Sequence, residues 1–269
     1  VIDGTALVTG VLTTTAATVF NGGFASNAVS TISTADNGTQ LTLISTDTDA
    51  NAGPHLKLYR NATGADSDAL GQVEFTGKDD AGNDFIFAQI EAYISDASNG
   101  SEDGYLEIFR GVGGTERVSA MILSPTDTVF NENSADVDFR VESDTVTHAL
   151  FVQGSKGAVG IGVTPLEDIH STWSQLFIGQ KGSLISERLG SGGLYGTMVT
   201  DNIYIDSDTG ARACIGENQS SLFSQEAGVF RFQSAVSASA GAAPSLIEYF
   251  KIAADGSLST PTLGTSNVR

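Results

Sequence analysis

The chain has 269 residues with 32 acidic against 13 basic side chains, which gives a formal net charge of −19. This charge repels phosphate backbones and anionic lipid surfaces, so we exclude nucleic acid as a partner. We also expect no membrane insertion, because no apolar run approaches the roughly 18 residues of a membrane span. Charged residues are only 17% of the total, so the polar surface must come mainly from Ser, Thr, Asn, Gln and Gly.

Two short pieces of sequence occur twice at long spacing. Residues 18–21 (Thr-Val-Phe-Asn) return at residues 128–131, and residues 43–45 (Leu-Ile-Ser) return at residues 184–186. Self-similarity over such distances is typical of an array of like modules and not of one enzyme core. The sequence therefore predicts tandem domains.

Residues 1–38 are small and polar, with a Thr/Ala run at residues 13–18. A segment this poor in large apolar side chains buries too little surface to offset its own ordering entropy. We therefore predict an extended segment that is intertwined with identical copies of itself, and a flexible linker is the alternative.

Residues 39–125 alternate apolar and polar side chains with period two, which is the pattern of half-buried strands. Tight-turn dipeptides such as Asn99-Gly100 and Asp103-Gly104 separate the alternating runs. This region is predicted to be β module 1. The apolar pairs that share a face are Leu41 with Leu43, Leu56 with Leu58, Val73 with Phe75, Phe85 with Phe87, Leu106 with Ile108, and Val118 with Ala120.

Residues 126–174 are predicted to form a connector of short strands and one short helix. Strand patterns occur at residues 137–141 and 150–152, and residues 157–162 carry glycine at alternate positions. Glycine at such positions allows close backbone approach, either within a sheet or around a shared axis. Thr164 as N-cap, Pro165 and Glu167 then predict a helix of at most two turns.

Residues 175–261 repeat the strand-rich pattern more loosely and are predicted to be β module 2. We expect residues 262–269 to begin a further linker and the chain to be a piece of a longer or processed protein. The fold class is thus predicted as all-β, with tandem β-sandwich-like or β-prism-like modules, intertwined connectors and very little helix.

Candidate sites for chemistry are sparse. Asp47, Asp49 and Asn51 match the first three ligand positions of a calcium-binding loop, but the glycine falls one position late and Leu58 stands where Glu is needed. They are weak candidates for a Ca²⁺ site, with ordinary acidic turns as the alternative. The lone Cys214 forms no internal disulfide and lies in a pattern typical of a buried strand.

No catalytic motif is recognisable. Residues 160–162 (Gly-Ile-Gly) lack the third glycine of a dinucleotide-binding loop, and there is no Gly-x-Ser-x-Gly sequence. His55, His148 and His170 are widely spaced. We predict that the chain is not an enzyme and binds no cofactor, although with 32 acidic residues a facing carboxylate pair keeps glycoside hydrolysis as an alternative.

Residues 137–165 resemble bacteriophage tail fibres, especially those of marine phages. The resemblance is carried by residues 137–144 (Val-Asp-Phe-Arg-Val-Glu-Ser-Asp), residues 148–152 (His-Ala-Leu-Phe-Val) and residues 157–165 (Gly-Ala-Val-Gly-Ile-Gly-Val-Thr-Pro). Such fibres often carry a Gly-x-Val-Gly-Ile-Gly-Thr punctuation, in which Val163 here replaces the Thr.

The resemblance implies a β-rich homotrimeric fibre that projects from a virion and mediates host attachment. Its implied partners are two further copies of the chain, other tail or baseplate proteins, and a glycan or protein of the host surface. Two alternatives remain open at this point: a bacterial surface adhesin or extracellular filament, and a tailspike-like enzyme that degrades polysaccharide.

Overall fold

The computed structural model describes residues 25–187 and 196–260, and these are all-β, with seventeen strands and no helix. The all-β class expected from the sequence is therefore confirmed. The chain divides into two units, Val1–Lys57 and Leu58–Arg269, which are described separately. One copy of the repeat, residues 18–21, and most of the proposed intertwined segment lie outside the described residues.

The described part of the first unit, residues 25–57, is exposed and contains no strand. The prediction of strands around Leu41 and Leu43, and around Leu56 and Leu58, is wrong. These side chains are 45–70% exposed, and no neighbouring strand offers them backbone partners in the described chain. Alternation predicts which side chains would share a face if the segment were a strand. A strand forms only where a second strand pairs with it.

The first sheet is an antiparallel meander in which each strand pairs with the next along the chain. The strands predicted around Val73, Phe85, Leu106 and Val118 are all present. Two turns that the sequence predicts connect them, at residues 79–83 and 97–102. The strands are β1 (Ala69–Lys78), β2 (Asp84–Asp96), β3 (Asp103–Val112), β4 (Thr115–Leu123) and β5 (Thr128–Phe130).

The second sheet has ten strands in the order β17-β16-β15-β14-β11-β10-β9-β8-β7-β6, and all its pairs are antiparallel except β8 with β9. The short strands of the predicted connector thus join the same sheet as the strands of the second predicted module. Its strands are β6 (Phe139–Val141), β7 (Leu150–Val152), β8 (Val159–Ile161), β9 (Trp173–Ile178), β10 (Gly182–Glu187), β11 (Gly196–Asp201), β14 (Asn218–Glu226), β15 (Val229–Ala238), β16 (Ile247–Ile252) and β17 (Leu258–Ser259).

A two-stranded hairpin, β12 (Ile203–Ile205) and β13 (Arg212–Cys214), covers one face of this sheet, which we call the inner face. Ile203 and Ile205 are at most 1% exposed and pack against sheet residues. A second cluster joins Tyr204 and Ala213 of the hairpin to Phe177 of β9. The sheet partners of the first cluster are Trp173, Ile185, Met198 and Leu222.

The short helix predicted after Thr164 is absent, because residues 162–172 are irregular. The segment is held by its side chains: Asp168 accepts hydrogen bonds from Tyr204 and Ser207, and Ile169 is 2% exposed in the hairpin core. Gly160 allows this chain reversal, since a Cβ there would lie 2.1 Å from the carbonyl oxygen of Val163. The backbone that comes close to Gly160 therefore belongs to the same chain.

Candidate interaction surfaces

The outer face of the ten-stranded sheet carries one continuous line of apolar side chains. Side chains of directly paired residues lie on the same face of a sheet, so the strand register defines this line. It crosses nine strands, from β6 to β16. We call it the apolar row: Phe139, Val152, Val159, Leu176, Leu184, Val199, Phe223, Phe232 and Phe250.

The apolar row is open to solvent within one chain. Val199 is 55% exposed, Phe232 47% and Leu184 40%, because the hairpin covers only the opposite face. Phe232 packs beside Phe223 and Phe250, with ring centroids 4.9 and 5.8 Å away. The row is thus an ordered hydrophobic surface that is most exposed at Leu184, Val199 and Phe232, and no second layer of the described residues covers it there.

Polar side chains make up most of the two flanks of the apolar row from β9 to β15. One flank consists of Ser174, Ser186, Thr197, Gln225 and Phe230, and the other of Ile178, Gly182, Asp201, Ser221 and Ser234. Ser186 and Thr197 are hydrogen-bonded across strands at 3.3 Å. Asp201 is the only charged residue among the paired positions of this face from β9 to β16.

Two shallow grooves lie on this part of the sheet. One, of about 390 Å³, is lined by Val199, Phe223 and Phe232 of the row. The other, also about 390 Å³, lies beside Asp201 and is lined by Ser221, Ser234 and Tyr249. Ser234 donates a hydrogen bond to the Tyr249 hydroxyl at 3.2 Å. Both grooves present rings, hydroxyls and amides, and neither presents a cationic group.

The five-stranded sheet repeats the arrangement on a smaller scale. A second apolar row crosses all five strands through directly paired residues, and its end members Val73 and Phe130 are 42% and 49% exposed. The members are Val73, Ile90, Ile108, Met121 and Phe130. Both apolar rows are thus partly exposed among the described residues, although Leu58 lies against Gly71 at one edge of the smaller sheet and the Phe130 ring lies 5.1 Å from the Phe139 ring.

The other face of the five-stranded sheet is polar and tightly hydrogen-bonded. The Arg117 guanidinium lies 2.8 Å from both the Glu91 carboxylate and the side-chain amide oxygen of Gln89. It also lies over the Phe109 ring, 4.7 Å from the centroid. Gln89 and Glu91 are 0% and 5% exposed, so the pairing offsets the cost of burying them.

Tyr93 belongs to the same network and stays protonated at neutral pH. Its hydroxyl donates to Glu91 at 2.6 Å, and its ring stacks on Tyr105 with centroids 4.7 Å apart. Burial and the bond to Glu91 raise the pKa of Tyr93 to about 12. The Tyr93 phenol thus acts as a hydrogen-bond donor within the network of this face.

The three residues proposed for calcium make the contacts of ordinary turns. Asp47 accepts a hydrogen bond from the Asp49 backbone at 3.2 Å, and Asp49 accepts from the backbone and side chain of Asn51 at 2.8 and 2.9 Å. These bonds to Asn51 lower the pKa of Asp49. The part of the chain that the structure describes contains no group of three or more His, Cys, Asp and Glu residues placed to hold a metal ion.

The remaining single residues have structural surroundings. Cys214 is fully buried, with its sulfur 3.6 Å from the Ser220 hydroxyl, as its sequence pattern indicates. His170 is hydrogen-bonded to Thr172 at 2.9 Å. Within residues 25–187 and 196–260 there is also no helix that could cross a membrane.

Sequence reasoning missed an ionic chain on the inner face. Glu226 pairs with Arg212 of the hairpin and with Arg231 of β15, and Arg231 continues to Glu248 of β16 at 3.3 Å. In β15 and β16 these charged residues alternate with apolar ones, and this alternation was the sequence signal that they lie on one face of the sheet. Their pairing depends on strand register, which the sequence did not reveal.

No protein-family model matches the chain, and no curated protein matches it either.

Proposed function

We propose that this chain is a non-catalytic structural component of a bacteriophage tail fibre. Three copies assemble into a β-rich segment, either shaft or receptor-binding part, which projects from the virion and mediates attachment to the host surface. Its partners are the other two copies, neighbouring tail or baseplate proteins, and a host glycan or protein.

The observation that supports this proposal best is the pair of uncovered apolar faces. A sheet is stable when its apolar face packs against another layer, and apolar burial contributes about 25 cal/mol per Å². The hairpin supplies that layer for the inner face of the larger sheet. For the two apolar rows residues 25–187 and 196–260 supply no complete covering layer, and further copies of the same chain can do so.

The sequence resemblance supports the viral assignment. Residues 137–165, which carry it, form β6, β7, β8 and the reversal after Gly160. This part contributes Phe139, Val152 and Val159 to the apolar row. The residues that resemble tail fibres thus supply three partly exposed members of the apolar row.

A non-catalytic role agrees with the surroundings of the titratable groups. The described residues with shifted pKa values are Tyr phenols, an arginine and carboxylates. Burial is the main cause of the raised pKa of Tyr93 and Tyr204, and hydrogen bonds and ion pairs within the fold shift the pKa of Asp79 and Arg117. Perturbed groups at a catalytic site normally face a cleft. Here they stabilise hairpins and sheet faces.

Molar mass and imaging test the proposal. We expect light scattering of the purified protein to give three times the single-chain mass of 27.8 kDa, and electron micrographs to show elongated particles. Antibodies against the protein should label phage tails and block adsorption to the host. A folded one-chain particle would contradict the trimer, and labelling of bacterial cells in place of virions would identify a surface adhesin.

A further inference from the structure

We infer that the outer face of the ten-stranded sheet, centred on the apolar row, is the contact surface between copies of this chain. The inference rests on the proposed trimer and specifies which face builds it. It is argued from the exposure, charge and extent of that face.

The apolar side chains of the row are aligned across the sheet and not scattered over it. Scattered exposed apolar residues are normal on a protein surface, whereas contiguous patches mark interaction sites. Here nine consecutive strands each contribute one apolar side chain to one line. Val199, at 55% exposure, lies in the middle of it.

The distribution of charge favours a second copy as the occupant. Two copies with a net charge of −19 each repel one another, so they can approach closely only through surfaces that lack carboxylates. From β9 to β16 the outer face has Asp201 as its only charged paired residue, and this residue lies in a flank. A positively charged partner would find few carboxylates to bind on this face.

The extent of the face suits a stable contact. Strands lie about 4.8 Å apart and alternate residues about 6.7 Å apart, so the row and its flanks project over roughly 600–700 Å². A standard stable interface buries about 800 Å² of accessible surface per partner. Accessible area exceeds projected area, so the face is large enough for one subunit's share.

The flanking residues fit the rim of such a contact. Interfaces combine an apolar centre with a polar edge that forms hydrogen bonds and retains water. Ser174, Ser186 and Thr197 on one flank and Ser221 and Ser234 on the other supply short hydroxyls. They allow close approach of another sheet and can pair with equivalent hydroxyls of a neighbouring copy.

A charge placed in the row tests the inference. Val199→Arg puts a guanidinium at a position that a single chain leaves 55% exposed, so one isolated chain tolerates it. Between copies the same charge is buried without a partner, and assembly should require about 100-fold higher protein concentration. Light scattering should show one-chain mass, with an unchanged circular dichroism spectrum. The matched control is Ala240→Arg, in the exposed turn before β16, which should remain assembled.

A small substitution covers the case in which Val199→Arg does not fold. Val199→Cys is nearly isosteric, and the native Cys214 is fully buried and should stay unlabelled. In the assembled protein we expect a maleimide to label Val199→Cys at least about 10-fold more slowly than Ala240→Cys, because a covered thiol is inaccessible. Dilution or mild denaturant that separates the copies should remove the difference.

The outcomes separate the two proposals. A wild-type protein of one-chain mass contradicts the proposed trimer and this inference together. A wild-type trimer that survives Val199→Arg, or in which Val199→Cys and Ala240→Cys are labelled equally fast, leaves the proposed function standing and overturns the inference. In that case the face is open in the assembly and available to a different ligand.

Discussion

The side chain of Asn202 and the backbone of Gly216 exchange two hydrogen bonds, from Gly216 N to Asn202 Oδ1 at 2.9 Å and from Asn202 Nδ2 to Gly216 O at 3.0 Å. Asn202 is fully buried and has a φ of 62°. Its amide also lies within 3.1 Å of the Asn218 carbonyl. One side chain thus joins the start of the β12–β13 hairpin to the segment that leads into β14.

Substitution of Asn202 should destabilise the second unit. Asn202→Ala removes the acceptor of the Gly216 N–H and the bonds from the amide to the Gly216 and Asn218 carbonyls, and it keeps a residue with a Cβ at positive φ, so we expect a loss of about 2–3 kcal/mol. Asn202→Gly removes the same hydrogen bonds but relieves the backbone strain, so its loss should be smaller. Urea unfolding at one fixed protein concentration measures both. Equal stability of Asn202→Ala and wild type would contradict the role of this amide.

Glu226 should be the critical member of the ionic chain. Its side chain is 11% exposed and lies against Arg212 and Arg231. Glu226→Gln leaves the partly buried Arg212 guanidinium without a carboxylate and leaves Arg231 paired with Glu248 alone, and we expect a loss of about 2–4 kcal/mol. Glu217→Gln makes the same chemical change on an exposed turn and should have little effect. A comparable loss for both variants in thermal unfolding would show that net charge, and not this pairing, is responsible.

The positions of most strands could be predicted from alternation alone. Val73 with Phe75 and Leu106 with Ile108 alternate cleanly, and both pairs lie in strands. Leu41 with Leu43 shows the same alternation without a strand, because the pattern does not reveal whether a partner strand exists. The helix expected after Thr164 failed for a related reason. Capping residues describe local preference, whereas Asp168 and Ile169 are held by contacts with the distant hairpin.

The candidate surface could be predicted only in part. The expectation that other copies take part was based on composition, since residues 1–38 are poor in large apolar side chains. The apolar row does not follow, because a shift of one residue in register would turn Val199 or Phe232 to the inner face. Register depends on turn geometry and on bulges such as those between Phe232 and Gln233 and between Asn218 and Ser220, which sequence patterns do not determine.

The β1–β2 turn offers a test with a charge-matched control. Asp79 accepts hydrogen bonds from the Asn83 side chain at 3.0 Å and from the backbone of Asn83 and Ala81 at 2.8 and 2.9 Å. Asp79→Ala should lower Tm relative to Asp80→Ala, which removes the same charge from the same turn. The bonds to Asn83 lower the pKa of Asp79 below 3.8. Its contribution is therefore present above that value and should disappear as the pH falls through the lowered pKa.

Tyr204 should give the protein an alkaline limit. Burial, and then the hydrogen bond to Asp168 at 3.0 Å, raise its pKa from 10.0 to about 12. The unfolded chain therefore loses this proton first, so the contribution to stability is complete below pH 10 and is lost as the pH rises towards 12. A shift of this size corresponds to the order of 2–3 kcal/mol. Tyr204→Phe should be less stable at neutral pH but show a shallower decline in unfolding free energy between these limits. The ultraviolet absorbance of tyrosinate in the folded protein provides an independent check, and ionisation of Tyr204 at its ordinary value of 10.0 would contradict the assignment.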